Sequence, residues 1–242
     1  MANEAFLYPW SQKDAQDRNE QELWHESRSA NISCRKAIES AINQGFDGQS
    51  LAPDCAESVI GEYGYKRVRF VLANTVEYRR HEETFSSDDL SWAKQVYVPE
   101  DSLPEISAAN PLPALETFLA QYKNAYQALG MFDHTHCEAD AGELDYTGKV
   151  LVLSPDILKE SCWRQEDQLW YAYDGFGCRP HARGRSIRCE CLGDGEQTRW
   201  NRTDFVGVLK DEHLPQWARE RLEQITAPKP SEAPKMEGMK MI

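Results

Sequence analysis

The sequence lacks both a long hydrophobic run and a secretory signal. Hydrophobic residues make up 40 % of its 242 residues, and no run approaches the about 20 apolar residues of a membrane-spanning helix. The stretch from Met1 to Trp10 also lacks the basic region and following apolar segment that are typical of a secretory signal. We therefore expect a cytoplasmic protein with no membrane partner.

Basic residues are scarce relative to acidic ones. The chain has 27 Lys and Arg against 40 Asp and Glu, a formal net charge of −13 at pH 7. Because phosphate contacts need clustered Lys and Arg, this balance excludes non-specific nucleic-acid binding by the protein as a whole. The 7 Trp, 10 Tyr and 8 Phe are nevertheless enough aromatic mass to exclude a wholly disordered chain.

The sequence also lacks the common signatures of enzymes and of disulfide-rich proteins. Its seven cysteines are an odd number spread along the chain, which favours reduced thiols over a disulfide framework. There is no G-x-S-x-G or H-E-x-x-H motif, and the glycines of residues 142–149 and 175–177 have the spacing of turns. Scattered acidic residues make chance carboxylate pairs expected. The sequence therefore predicts no catalytic residues and favours a protein that is not an enzyme.

Helical periodicity is present in the first half. From Leu23 to Ile42, apolar or small residues recur at steps of three and four, which places them on one helix face. Ser86 and Asp89 have the spacing of a capping box at another helix start. Residues 68–72 fit a strand as well as a helix. The helices predicted here cover residues 22–43, 53–63, 65–76, 86–93 and 115–129.

The second half has the composition of short strands. Gly193-Asp194-Gly195 between two strand-like stretches predicts a β-hairpin. The predicted strands cover residues 149–154, 168–173, 186–192, 197–201 and 205–209, and a closing helix covers 215–225. The predicted fold class is α+β, with a helical N-terminal domain followed by a small, mostly antiparallel β-rich C-terminal domain.

Four domain-level segments follow from these patterns. Residues 1–98 form the helical domain and residues 131–225 the β-rich domain with its closing helix. Residues 99–130, with Pro99, Pro104, Pro111 and Pro113, are predicted to be a linker plus a connecting helix. Residues 226–242 are predicted to be a disordered tail.

Several segments resemble a known family. Those in the first half are Leu7-Tyr8-Pro9, Ser27-x-x-Ala30-Asn31-x-x-Cys34-x-x-Ala37-Ile38, Phe46-Asp47-Gly48 and Val71-Leu72-Ala73-Asn74-Thr75. They resemble the bacterial domain of unknown function 3849 family over about Phe6 to Pro99. Asp174-Gly175-Phe176-Gly177-Cys178 and Arg199-Trp200-Asn201-Arg202 are similar to segments that accompany this domain in proteins of conjugative elements and prophages. The resemblance implies a mobile-element accessory protein and supplies no catalytic residues.

Two Cys and His clusters are candidate metal or nucleophile sites. Cys178-x-x-His181 followed by Cys189-x-Cys191 offers four zinc ligands, although strand alternation also places the last two cysteines on a buried face. His134-x-His136-Cys137 offers ligands for a transition metal or a histidine beside a thiolate. Its acidic neighbours disfavour a thiolate, and a solvated connection between the domains is the alternative. We expect no cofactor, with zinc at the first cluster as the alternative.

A basic window interrupts the acidic sequence. Six arginines against three acidic residues lie between Arg179 and Arg202. Because the guanidinium fork suits phosphate and carboxylate, and Trp200 and Phe176 lie close in sequence for base stacking, the window predicts an anion-binding face. Pairing with the protein's own acidic residues is the alternative. The candidate residues are Arg179, Arg183, Arg185, Arg188, Arg199, Trp200 and Arg202.

The expected function is therefore that of a non-catalytic interaction protein of a phage or conjugative element. We expect its partner to be a host or mobile-element protein, such as a host defence or DNA-handling protein that it inhibits or modulates. One alternative is nucleic-acid binding through residues 179–202. A second is a zinc-dependent enzyme or a zinc-stabilised module.

Overall fold

The structure is a computed structural model that describes residues 6–81, 85–99, 101–102, 106 and 112–227. It divides into two compact units. Unit 1 comprises Met1–Met131 and Lys159–Cys162, and unit 2 comprises Phe132–Leu158 and Trp163–Ile242. Pro104, Pro111 and the predicted tail from residue 228 onward lie outside the described residues.

Unit 1 is helical, as the sequence predicts. Its helices are α1 (Gln12–Arg18), α2 (Gln21–Gly45), α3 (Cys55–Tyr63), α4 (Tyr65–Tyr78), α5 (Ser87–Ala93) and α6 (Leu112–Ala128). The capping box at the start of α5 is confirmed, because the Ser86 hydroxyl accepts from the Asp89 N–H and the Asp89 carboxylate accepts from the Ser86 N–H. Residues 68–72 lie in α4, so the strand alternative is wrong.

The core of unit 1 is built around α4 and α6. Val68 and residues 70–76 are all buried, which explains why this stretch resembles a strand. Leu115, Phe118 and Tyr122 of α6 are buried in the same cluster as α2 and α4. Helix α6, which the sequence predicted to connect the two domains, thus packs within unit 1. At the start of α4, Glu160 accepts from two backbone N–H groups that no intrahelical partner can reach.

Unit 2 contains an antiparallel sheet of five strands in the order β4-β3-β2-β1-β5. The strands are β1 (Val150–Leu153), β2 (Leu169–Asp174), β3 (Ser186–Cys191), β4 (Gln197–Asn201) and β5 (Phe205–Val208). The first four form a meander, and β5 returns beside β1. The predicted β3–β4 hairpin is confirmed. The short helix α7 (Gln165–Gln168) precedes β2, and α8 (Gln216–Thr226) follows the sheet.

The sheet has a separate apolar cluster on each face. Ile187, Cys189 and Cys191 alternate along β3 toward one face, where they pack with Leu151 and Trp170. The opposite face of β1 and β2 packs with Ala218 and other apolar residues of α8. Within the described part of the chain, no helix combines the length and the apolar character that crossing a membrane requires.

Candidate anion-binding surface

Arg202 lies inside unit 2, not on its surface. Only 6 % of the residue is exposed. Its Nη1 atom donates to the carbonyl oxygens of Gly177, Cys178 and Arg179 at 3.1, 3.2 and 2.9 Å. These carbonyls belong to the turn between β2 and β3, so Arg202 holds that turn in place. It contributes to the candidate surface only by positioning it.

The second nitrogen of Arg202 fixes a neighbouring loop. Nη2 donates to Asp140 Oδ2 at 3.1 Å and to the Leu144 carbonyl at 2.8 Å, and the guanidinium stacks 3.6 Å from the Tyr146 ring centre. Burial alone would raise the pKa of Asp140, but hydrogen bonds from the Leu144 N–H and the Tyr146 hydroxyl, together with the Arg202 charge, hold it below its ordinary value. Burial and the bond to Asp140 raise the pKa of Tyr146 to about 12.

The turn that Arg202 holds presses against the start of β3. A Cβ atom on Gly177 would lie 2.3 Å from the Arg185 carbonyl oxygen, and one on Gly175 would lie 2.7 Å from the Ser186 carbonyl oxygen. Gly175 also has a φ of +119°, which side chains rarely adopt. The two glycines therefore allow the turn to sit close to the strand, which leaves the intervening Phe176 side chain in solvent.

Phe176 is the exposed aromatic residue of the basic window. It is 59 % exposed, and two guanidinium groups approach its ring. The Cζ atom of Arg179 lies 5.2 Å from the ring centre and that of Arg185 lies 6.0 Å from it. Trp200 is instead half-buried and packs edge-on against Trp170, with ring centres 5.8 Å apart. Of the two aromatic residues in the predicted anion-binding face, Phe176 is therefore the exposed one.

Two further arginines lie side by side at the adjacent strands. Arg188 of β3 and Arg199 of β4 are direct cross-strand partners, and both are exposed. Arg188 pairs with Asp174 of β2 at 3.3 Å. Like charges that face each other across strands are destabilising. We call Phe176, Arg179, Arg185, Arg188 and Arg199 the arginine surface.

Most of the exposed arginines of the window form no close ion pair among the described residues. Hydrogen bonds from Thr147 lower the pKa of Asp145, and the charges of Arg202 and Arg179 lower it further. In the parts of the chain that the structure describes, Arg179, Arg183, Arg185 and Arg199 form no ion pair. Arg183 lines a separate open groove with His181 and Tyr146. The alternative interpretation was that the arginines of the window pair with acidic residues of the protein itself. Ion pairs of this kind are formed by Arg188 and Arg202 but not by the four arginines just named.

The cysteines of the first cluster lie in the sheet core. Cys178, Cys189 and Cys191 are buried, and their thiols contact the backbone carbonyl oxygens of residues 174, 198 and 166. Burial raises the pKa of Cys189 to about 12 and that of Cys191 to about 11. His181 is exposed. Among the described residues, no group of three or more His, Cys, Asp or Glu side chains is arranged to hold a metal ion.

The His134–Cys137 segment belongs to unit 2 and lies close to the boundary between the units; residues 133–135 are exposed. His136 Nδ1 lies 2.8 Å from Asp133 Oδ1, and Cys137 forms a β-bridge with Leu209 beyond the end of β5. The Cys137 thiol is buried and contacts the Asp133 carbonyl oxygen. Burial, with a smaller effect of the Asp133 charge, raises the pKa of Cys137 to about 11. This thiol is therefore held protonated.

These features define an α+β protein with a helical unit and a sheet-based unit that carries exposed arginines. The chain matches a family model described as protein of unknown function (DUF3849) over residues 7–127, and it belongs to that family. The match extends beyond the resemblance seen in the sequence and includes α6, in agreement with the packing of that helix in unit 1. No curated protein and no solved structure matches the chain.

Proposed function

We propose that the protein is a non-catalytic interaction protein that binds an anionic partner through the arginine surface. The supporting observation is that Arg179, Arg185 and Arg199 form no ion pair within the described residues of a chain with a net charge of −13. Arg188 and Arg199 also stand opposite each other at a cost in stability. Locally unfavourable arrangements of this kind are typical of functional sites.

A protein with an acidic surface is the partner that the charge distribution favours. Phe176 with its two neighbouring guanidiniums can bind planar carboxylates and pack against apolar side chains. The rest of the chain is acidic and repels a long polyanion such as DNA. We further propose that the protein serves a mobile element and modulates a host defence or DNA-handling protein. This proposal rests on the expected similarity of residues 174–178 and 199–202 to segments that accompany the family domain in mobile-element proteins.

Affinity capture with matched variants tests this proposal. We expect the intact chain to recover a stoichiometric protein partner from its native host, and the Arg179→Glu/Arg185→Glu variant to lose it. The Arg164→Glu/Arg219→Glu variant changes the net charge equally at other exposed arginines of unit 2, and it should retain the partner. Equal capture by both variants would place the binding elsewhere on the protein.

Nucleic-acid binding is the second candidate, and the exposed ring of Phe176 with two guanidiniums nearby favours it. Such an arrangement can stack a base while the arginines bind phosphate. It predicts that labelled single-stranded DNA or RNA binds at low salt, and that binding weakens steeply as salt rises. Arg185 and Arg199 are the residues to replace by Ala, since Arg202 supports the fold. No anisotropy change with either oligonucleotide at low salt would exclude this candidate.

A further inference from the structure

The outer edge of β4 is open in the described structure. β4 pairs with β3 on one side, and the sheet order places no strand on its other side. The edge of β5 differs, because the Glu138 N–H donates to the Val208 carbonyl at 2.8 Å and Cys137 bridges to Leu209. The β3–β4 ladder contains five consecutive pairs without a register shift, so no bulge turns this edge away from a new strand.

Hydrogen bonds at both ends of the hairpin show which backbone groups face outward. The Arg202 N–H donates to the Arg185 carbonyl at 2.9 Å, and the Cys191 N–H donates to the Glu196 carbonyl at 2.8 Å. Because paired and unpaired positions alternate in an antiparallel ladder, the N–H and C=O groups of residues 197 and 199 point away from β3. Two residues of β4 thus present donors and acceptors at the open edge.

Charge selects what can pair with this edge. Across the sheet, Asp174, Arg188 and Arg199 occupy neighbouring positions in β2, β3 and β4. The Asp174 carboxylate balances Arg188, whereas Arg199 has no ion-pair partner among the described residues. An incoming strand with Asp or Glu beside Arg199 would complete the row. A second copy of β4 would instead bring another Arg199 to the same edge.

We propose that β4 pairs with an extended acidic segment of a partner protein, which adds as a sixth strand to the sheet. The inference rests on the proposed function and specifies the partner's conformation. Backbone hydrogen bonds to residues 197 and 199 supply affinity, and a carboxylate beside Arg199 supplies selectivity.

Amide hydrogen exchange of the full chain tests strand addition. The probe is a peptide of alternating Glu and Thr, and its comparison peptides have either Lys in place of Glu or an N-methyl group on every backbone nitrogen. We expect the Glu–Thr peptide to slow exchange of the Gln197 and Arg199 amides by about tenfold or more. The N-methylated peptide should leave these amides unchanged, because it cannot complete the ladder.

Charge reversal supplies the second arm of the test. Arg199→Glu should shift the preference of this edge from the Glu–Thr to the Lys–Thr peptide, while Arg183→Glu, an exposed arginine outside β4, should keep the original preference. Binding of the Glu–Thr peptide without slowed exchange at residues 197 and 199 would overturn strand addition but keep the proposed function. Absence of any binding by acidic peptides would contradict both. The inference would also be overturned if exchange at residues 197 and 199 were slowed by dimerisation of the protein, or by an oligonucleotide and not by the Glu–Thr peptide.

Discussion

At the scale of single residues, Arg202 shows how one side chain organises a surface to which it does not belong. All six arginines lie in one basic window, so residue type and position alone predict the same role for Arg202 as for the others. In the structure, its five hydrogen bonds are all internal, to four carbonyl oxygens and one carboxylate. By contrast, Arg185 and Arg199 form no ion pair within the described part of the chain. Burial thus distinguishes an arginine that supports the fold, Arg202, from exposed arginines that can contact a partner, and residue type alone does not make this distinction.

Replacing Arg202 should strongly destabilise unit 2. Arg202→Ala leaves the buried Asp140 carboxylate and the carbonyls of the turn without their donor, so we expect a loss of about 3–5 kcal/mol. Arg202→Lys should recover little of this stability, because an ammonium group lacks the planar arrangement of N–H donors that the guanidinium provides. Urea unfolding followed by tryptophan fluorescence measures this loss. Arg183→Ala, at an exposed position, should change stability by no more than about 0.5 kcal/mol.

The Asp140–Arg202 pair also predicts a pH dependence. The pKa of Asp140 is lower in the folded protein than its ordinary value of 3.8, so the folded state binds its proton less readily than the unfolded state. The stabilisation from this group is therefore present above pH 3.8 and is lost as the pH falls through the lower folded value. We expect the stability difference between the natural protein and Asp140→Asn to shrink over that acidic range. A difference that is constant with pH would contradict this assignment.

At the scale of elements, local sequence signals predicted most of the fold. Strand composition and Gly193-Asp194-Gly195 located β3 and β4, and the Ser86–Asp89 spacing located the start of α5. Helix α1 was missed, although Ser11 and Asp14 form the same kind of capping box, because the helix has only seven residues and buries only Ala15. The pairing of β5 with β1 was not predicted, since non-adjacent strand order depends on tertiary packing that local patterns do not encode.

The same limit applies to the candidate surface. Sequence composition indicated the basic window, and it included both Phe176 and Trp200. Composition alone does not show that Phe176 faces solvent while Trp200 packs on Trp170. The position of Trp200 depends on which face of β4 meets the core, and the exposure of Phe176 depends on the close turn at Gly177. Nor does composition show that Arg188 and Arg199 are cross-strand partners, which follows from the hairpin register.

The close turn gives an element-scale prediction. Gly177→Ala places a Cβ atom 2.3 Å from the Arg185 carbonyl oxygen, so the turn must move away from β3 and stability should fall by about 1–3 kcal/mol. Gly61→Ala is the contrasting variant, because this residue lies within α3 with open space around it. It should be neutral or raise stability by about 1 kcal/mol. The urea concentration at the midpoint of unfolding should therefore fall for Gly177→Ala and stay the same or rise for Gly61→Ala.

At the scale of the whole molecule, the net charge conceals an uneven distribution. Residues 1–130 contain 12 basic and 20 acidic residues, and residues 131–242 contain 15 basic and 20 acidic residues. Within the second group, Arg179 and Arg185 of the arginine surface lie near the Phe176 ring, and Arg188 and Arg199 pair across β3 and β4. The acidic surplus disfavours anions over most of the chain, which is why we propose the arginine surface as the place where an anionic partner binds.

Titration of the full chain with a short oligo-glutamate peptide, followed by NMR, tests the central claim most directly. We expect the resonances of Phe176, Arg179, Arg185 and Arg199 to shift first, and the affinity to fall as salt is added. The Arg179→Glu/Arg185→Glu variant should lose these shifts, while Arg164→Glu/Arg219→Glu should keep them. Shifts of equal size in both variants, or none at these four residues in the folded natural protein, would contradict the account.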